Sequence, residues 1–366
     1  MFRIIVAFLI PLLLGAVPSL GQGCPPKDTA LVALDSFNAH FLRPQGLYAA
    51  DTETDGLAAI WTQAIFWDMA MNAYKRSGSP EYAALIKRIY EGGYQRYDGY
   101  NWDNTKEWFI YDDMMWWVIS MARAYELTGE PQYLGHAILG FERVWRGSPG
   151  VDDPGAWDPD AGGMFWGWKN DQRGKTACIN FPTAVAGATL FTLTRDSSFL
   201  KRGIAAYEWG REVLFDRKTG KVADHKVGRN PTNWTTQLYN QATFIGASVM
   251  FYRIMGKEGF LQDAIRAADH VKEDMSDDNG LLPFKNGIEQ GIYAAIFAQY
   301  IIRLIEDGKQ PQYLPWLRHN IQTAWAHRDP RRLLTHKNFG RSCPAGSVEV
   351  YDASAAVALM LVMPAY

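Results

Sequence analysis

Five stretches of this chain repeat one pattern, and that repeat restricts the fold more than any single motif. They read AYKRSGSPEYAALIKRIYEGG, AYELTGEPQYLGHAILGFERV, LFTLTRDSSFLKRGIAAYEWG, FYRIMGKEGFLQDAIRAADHV and LIEDGKQPQYLPWLRHNIQTA. In each, an apolar segment ends, a short turn containing Gly or Asp follows, and a second, amphipathic segment begins with an aromatic residue. That aromatic recurs as Tyr82, Tyr133, Phe199, Phe260 and Tyr313, at intervals of 51, 66, 61 and 53 residues. Self-similarity on this scale marks repeated supersecondary units. One helical hairpin plus a long connection fills each interval.

The two halves of a unit differ. Segments before the turn, such as AVAGATLFTL and IGASVMFYRIM, are apolar nearly all round and belong in an interior. Segments after it, such as FLQDAIRAADHVKED, carry charge on one side. Ala137, Phe141 and Val144 show the helical spacing of a buried stripe. Inner and outer helices that alternate in this way close into a ring. The segment from Leu31 to Phe41 and the run DASAAVALMLVM supply a further hairpin. The chain has 366 residues, 48% of them hydrophobic, enough for one large core and too apolar for disorder. The expectation is an all-α, single-domain (α/α)6 barrel of about six hairpins. An open helical solenoid fits less well, because the connections are long and uneven. In a closed ring the short turns share one end. The long links share the other, with the N-termini of the inner helices.

The N-terminus, MFRIIVAFLIPLLLGAVPSLGQGCPP, places one Arg before an apolar stretch from Ile4 to Val17 and then small residues. This is the pattern of a secretory leader, assigned to residues 1–22, with residues 23–366 forming the folded domain. The protein is expected to be exported: secreted, periplasmic or at the cell surface. A lipid anchor on Cys24 is not favoured, because Gly21 stands where such a signal takes a Leu-like residue. No later segment is expected to span a bilayer. Of the three cysteines, none forms a CxxC pair, which argues against zinc. Cys178 and Cys343 remain candidates for a disulfide in an exported protein. The histidines are scattered without ligand spacing, so no metal or other cofactor is expected. Net charge is -2 and the basic residues form no run, which argues against nucleic acid.

The long links hold the chemistry-bearing residues: NWDNTKEWFIYDD, DPDAGGMFWGWKNDQRGKTACIN and DHKVGRNPTNWTTQLYNQ. Loops on one rim of a rigid scaffold are where function resides. Asp112 and Asp113 stand side by side before an apolar run, YDDMMWW. Acids suit a helix start as caps and by their charge, and the same two acids suit catalysis. Trp102, Trp157, Trp166, Trp168 and Trp234 lie beside polar or Gly-rich segments, as sugar-stacking rings do. Gly162 and Gly163 let a backbone approach a ligand closely. Tyr239, Asn240 and Gln241 combine a ring with amides able to bond sugar hydroxyls. Asp103, Asn104, Lys175, Asn180 and Asp224 are further candidates, as are Asp55 and Gln63 nearer the N-terminus. Each has a plain alternative: Trp116 and Trp117 as core, Asn180 as a helix cap, the acids as turn or surface residues.

YDDMMWW followed by ARAYELTGEPQYL resembles the family 76 glycoside hydrolases, the endo-α-1,6-mannanases. WTQAIFWDMAMNAYKRSG, GGMFWGW, KTACIN and YNQATFIGA match in the family's order and span most of the chain after the leader. The resemblance implies an (α/α)6 barrel and a retaining hydrolase that cuts internal α-1,6-mannosidic bonds of mannan without metal. Carried over by position, it makes Asp112 the nucleophile and Asp113 the general acid/base. Retaining glycosidases hold two such carboxyls about 5–5.5 Å apart. Read from their own chemistry, the candidate sugar contacts are Asp55, Gln63, Asp103, Asn104, Trp116, Gly163, Trp166, Trp168, Lys175, Asn180, Asp224, Tyr239, Asn240 and Gln241. The chain departs from the family at Ala242, where YNQG is common, and around Gly162–Trp166. Those changes touch the cleft wall. Three other functions fit part of the pattern. A mannan transglycosidase would use the same acids. A glycan-capture protein would keep the aromatics without needing both acids. An epimerase-like barrel enzyme would be expected to place His chemistry in the Asp-bearing loop, where there is none.

Overall fold

The computed structural model describes residues 28–167 and 174–364. The leader, Cys24 and Trp168 lie outside the described residues. Among those described are twelve α-helices, alternating between two layers. The inner layer is α2 (Ile60–Ser77), α4 (Tyr111–Thr128), α6 (Ala177–Thr194), α8 (Leu238–Met255), α10 (Tyr293–Glu306) and α12 (Val350–Val362). The outer layer is α1 (Thr29–Phe41), α3 (Pro80–Arg96), α5 (Pro131–Arg146), α7 (Ser197–Val213), α9 (Glu258–His270) and α11 (Leu314–Ala326). Each inner helix packs on the next, and α12 packs on α2, so the ring closes. The chain is an (α/α)6 barrel, as expected, and α1 with α12 forms the hairpin left over from the five repeats.

Composition sets the layers. In α6 every residue from Ala177 to Leu190 is buried, because other helices surround it. By length and apolar composition α6 is able to cross a membrane, and most of it lies inside the barrel. This corrects the expectation that no segment after the leader has such a composition. Outer α5 buries one stripe, including Tyr133, Ala137, Phe141 and Val144, and leaves the rest to solvent. The recurring aromatics Tyr82, Tyr133, Phe199, Phe260 and Tyr313 are all buried. Each begins an outer helix and wedges it onto the inner layer.

The short turns follow a shared rule. α2, α4 and α8 end on Gly78, Gly129 and Gly256 in the left-handed region, with φ of 64°, 74° and 67°. There the backbone N–H bonds back to the carbonyl four residues earlier, closing the helix. Ser79 and Asp196 then cap α3 and α7 by accepting from the N–H of Glu81 and Ser198. At the other end the long links are laced together. Ile110 bridges Gly167, Phe165 bridges Lys175, and Asp51 bridges Glu349. A two-stranded antiparallel ribbon joins β1 (Lys175–Thr176) to β2 (His225–Lys226), with Thr176 opposite His225. Backbone pairing turns these links into a fixed rim around the inner-helix N-termini.

Candidate active site

Asp112 and Asp113 are the second and third residues of α4. Neither is the cap. Ile110 holds that position without a side-chain bond, so of the two roles open to these acids at a helix start, capping is not the one they fill. The start of α4 is fixed instead from the neighbouring link, where the Trp166 carbonyl accepts the Tyr111 N–H at 2.9 Å. Both carboxyls therefore sit in the first turn, where the free N–H groups of an 18-residue helix favour negative charge. They face a cavity of about 540 Å³ at the long-link end, walled by the first turns of α2, α4, α6, α8 and α10. A larger cavity of about 620 Å³ lies between Phe191, Arg253 and Arg303 at the short-turn end, and Glu126 is the sole acid lining it.

The environment separates the two acids. Asp112 is buried, and its Oδ1 has no hydrogen-bond partner. Burial pushes its pKa up to about 7, against the pull of the Cys178 thiol, the Trp166 indole and the Asp113 N–H. Asp113 is half-buried. Burial, the Asp112 charge and the Glu289 charge hold it well above the ordinary carboxylate range. Within the pair the first ionisation thus belongs to Asp112, and Asp113 keeps its proton longer.

The structure gathers six of the expected residues on this cavity: Asp112, Asp113, Trp116, Trp166, Asp224 and Tyr239. Asp224 is itself held, since its carboxylate accepts from Asn240 Nδ2 at 3.2 Å and pairs with His225 Nδ1 at 2.9 Å. Trp116 is buried apart from its cavity edge, 6.1 Å from the ring of Trp61.

Others stand behind the wall, their polar atoms engaged by the protein. Gln63 clasps both backbone groups of Tyr48, accepting at 2.9 Å and donating at 2.8 Å. Asn180 accepts from Met164 N–H at 2.9 Å and donates to the Thr176 carbonyl at 2.8 Å. Gln241 donates to the carbonyls of Gly220 and Ala267, both at 3.1 Å. Lys175 pairs with Asp158 at 2.7 Å. Gly163 has φ +81°, and a Cβ there would lie 2.4 Å from the Trp209 ring. Its constraint comes from the protein's own packing.

Three expected contacts lie away from the cavity. Asp55 is fully exposed, 3.9 Å from Arg43. Asp103 binds Arg143 Nε at 2.6 Å and Ser148 at 3.1 Å, and Asn104 binds Asp98 at 3.1 Å. Trp102 packs on Trp108 and Trp157 stacks on Trp145, at 4.7 and 4.6 Å between ring centres. Neither lines the cavity. Cys178 and Cys343 are free thiols, so the candidate disulfide is not formed. Among the described residues no group of three His, Cys, Asp or Glu side chains converges on a metal-sized site.

Sequence reasoning missed Trp61, Phe109, Thr176, Cys178, Glu289 and Tyr293, all of which line the cavity. A signal for some of them existed. Trp61, Asp112, Cys178 and Tyr239 are each the second residue of an inner helix. Carrying the repeat register into the first turn picks out all four.

The chain matches the family model described as glycosyl hydrolase family 76 over residues 34–360. Among curated proteins, none matches this chain in sequence. Solved structures do match. An α-1,6-mannanase from Salegentibacter sp. HEL1_6 superposes with TM-score 0.81 at 24% identity, covering 91% of this chain and 97% of that one. A family 76 mannosidase from Bacteroides thetaiotaomicron gives 0.75 at 18%, over 91% and 96%. Dfg5 from Chaetomium thermophilum, solved with glucosamine, gives 0.71 at 16%, over 91% and 87%. At these identities the likeness is one of fold.

Proposed function

This chain belongs to glycosyl hydrolase family 76, and from that premise we propose that it hydrolyses internal α-1,6-mannosidic bonds of mannan with retention. The observation that carries the reading is the pair of consecutive carboxyls in the first turn of α4, both lining one cavity at the long-link end. Two features of a neighbour support it. The Salegentibacter mannanase is inactive as a variant with two consecutive aspartates changed to asparagine, and that variant was solved with α-1,6-mannotriose.

The mechanism follows from the electrostatics. Asp113 carries the proton and delivers it to the glycosidic oxygen as the bond to the anomeric carbon breaks. Asp112, ionised first and stabilised by the α4 N-terminus, attacks that carbon and forms a glycosyl ester. Asp113, now a carboxylate, takes a proton from water, and the resulting attack frees Asp112. Trp166, half-buried on the cavity, offers an apolar face to the sugar beside it, and Trp116 offers an edge. Asp224 offers a carboxylate for hydroxyls. The leader pattern supports action outside the cytoplasm, which N-terminal sequencing of the exported protein tests.

The deciding experiment is product analysis on linear α-1,6-mannan with wild type, Asp112→Asn and Asp113→Asn. Short manno-oligosaccharides from the wild type, released as the α-anomer by proton NMR and absent with both variants, support the proposal. A wild type that joins chains when given acceptor sugars is a transglycosidase. One that binds mannan and releases nothing is a capture protein.

A further inference from the structure

Exposed apolar side chains are unevenly placed on this molecule. Among the described residues, eight large hydrophobics are well exposed, and six of them belong to long links on the cavity rim: Leu57, Phe109, Val227, Trp234, Phe284 and Ile288. Exposed apolar surface concentrated around a cleft marks a place where something binds.

Three of the six are aromatic, and two of these, Trp234 and Phe284, stand on adjoining links. Trp234 is 40% exposed and Phe284 39%. Lys285 joins their links by donating to the Thr236 carbonyl at 2.8 Å. The backbone under Trp234 is fixed on both sides. Asn233 pairs with His225, and its side chain accepts the Thr235 N–H at 2.9 Å. The ring is thus presented by a pinned strip. Both links run directly into the cavity wall. The first leads from Asp224 to Tyr239 and the second leads to Glu289 and Tyr293, and the rings of Tyr239 and Tyr293 lie 4.4 Å apart. The exposed aromatics therefore stand on links that run on into the cavity wall.

We propose that Trp234 and Phe284 form a second sugar-binding platform, outside the catalytic cavity, that holds the α-linked mannose chain beyond the units being cut. This rests on the reading of the cavity as a mannan site. The occupant follows from continuity: a polymer leaving the cavity past Tyr239 and Tyr293 meets these two rings next. The apolar C–H face of a pyranose stacks on an exposed aromatic face, and the stack needs no fixed hydrogen-bond register. The platform sets a preference for long chains, while the bond to be cut is selected inside the cavity.

The test compares the parent with Trp234→Ala, Phe284→Ala and the double variant, on linear α-1,6-mannan and on α-1,6-mannotriose. The ratio of polymer to trisaccharide kcat/KM is expected to fall about tenfold for a single variant, the scale of one aromatic contact. The fall is expected in KM. Binding of polymer by the inactive Asp112→Asn chain, with and without Trp234→Ala, gives a readout independent of turnover. Unchanged polymer binding and an unchanged ratio, in a parent that cleaves mannan, overturn the platform and leave the mannanase reading intact. A parent that neither binds nor cleaves mannan overturns both. Binding to phosphatidylglycerol vesicles that is lost in Trp234→Ala, with the sugar ratio unchanged, assigns the rings to a lipid surface and also overturns the platform.

Discussion

The Glu289 carboxylate accepts the indole N–H of Trp61 at 2.8 Å, tying the link before α10 to the first turn of α2 although α12 stands between those helices in the ring. Glu289 has φ +70°, a left-handed conformation that costs a non-glycine residue about 1–2 kcal/mol. Local strain of this kind persists where surrounding structure imposes it, often at functional sites. Glu289 lines the cavity with Asp113, and its charge helps to keep Asp113 protonated. Glu289→Gln removes that charge and keeps the shape. Asp113 then loses its proton at lower pH, so the alkaline limb of the kcat/KM profile moves down, while activity near the acid limb changes little. A pH–rate profile checks this. An alkaline limb that stays in place or moves up rejects the role.

Asp112 bears on stability as well as reactivity. Its pKa rises from 3.8 to about 7 on folding, so the folded state holds a proton that the unfolded state releases. The sign follows from linkage. Below pH 4 both states are protonated and the group has no effect. Between about pH 4 and 7 stability falls, and above pH 7 the full penalty applies. Asp112→Asn removes it. The variant is expected to be more stable than wild type at pH 8 by roughly 4 kcal/mol and equal to it at pH 3.5, with hydrolysis abolished at both. Denaturant melts at the two pH values measure the difference.

The fold was legible because the repeat is written in every unit. Gly78, Gly129 and Gly256 punctuate inner helices, and one buried aromatic follows each turn. The acid pair was legible as a motif. The amides were harder. Gln63, Asn180 and Gln241 have the chemistry of sugar binders, and only coordinates show their polar atoms turned to backbone groups behind the wall. Asp103 gave no hint of Arg143, which arrives 40 residues later. Side-chain direction in a link depends on pairing with other links, and local sequence does not encode that pairing. Glu289 and Cys178 were missed for the same reason. Neither carries a motif, and both acquire meaning from the helix start they occupy.

Cys178 is expected to act on Asp112. Its thiol lines the cavity with Asp112 and lies 3.0 Å from the Thr176 hydroxyl. Burial, then the Asp112 charge, keeps the thiol protonated, with its pKa raised well above the ordinary value. Donation to Asp112 favours the ionised acid. Cys178→Ala removes the donor, so the acid limb of the activity profile moves to higher pH. Cys178→Ser keeps a donor and is expected to restore much of the wild-type limb. Equal profiles for both variants reduce the thiol to a packing group.

Gly163 and Asn180 are expected to act together. Asn180 clamps Met164 from both sides, and Gly163 next to it packs under Trp209. That segment leads to Trp166, whose carbonyl fixes the start of α4. Gly163→Ala combines a left-handed φ with a clash against a ring, and is expected to destabilise the fold by about 2–3 kcal/mol. Asn180→Leu leaves two backbone groups unpaired and is expected to cost about 2 kcal/mol. Because both loosen one segment, the double variant is expected to lose less than the sum. Urea melts of the two singles and the double measure the coupling.

Arg195 marks a position where the repeat departs from its own rule. It ends α6 at φ 63°, donating its N–H to the Phe191 carbonyl at 2.8 Å. Gly78, Gly129 and Gly256 do the same for α2, α4 and α8, with nothing within 4 Å of the Cβ each lacks. The glycines are there for backbone freedom alone, and Arg195 adopts the same turn with a β-carbon. Arg195→Gly is expected to stabilise the protein by about 1 kcal/mol, an increase in Tm of about 1–2 °C for a chain of this size. Arg195→Ala separates this cause from loss of the charged side chain. It removes the guanidinium and keeps the β-carbon, so its Tm is expected to match wild type. A rise shared equally by both variants traces the effect to the guanidinium. A rise with Gly alone traces it to backbone strain, and shows that one turn of the barrel retains a cost the other three have lost.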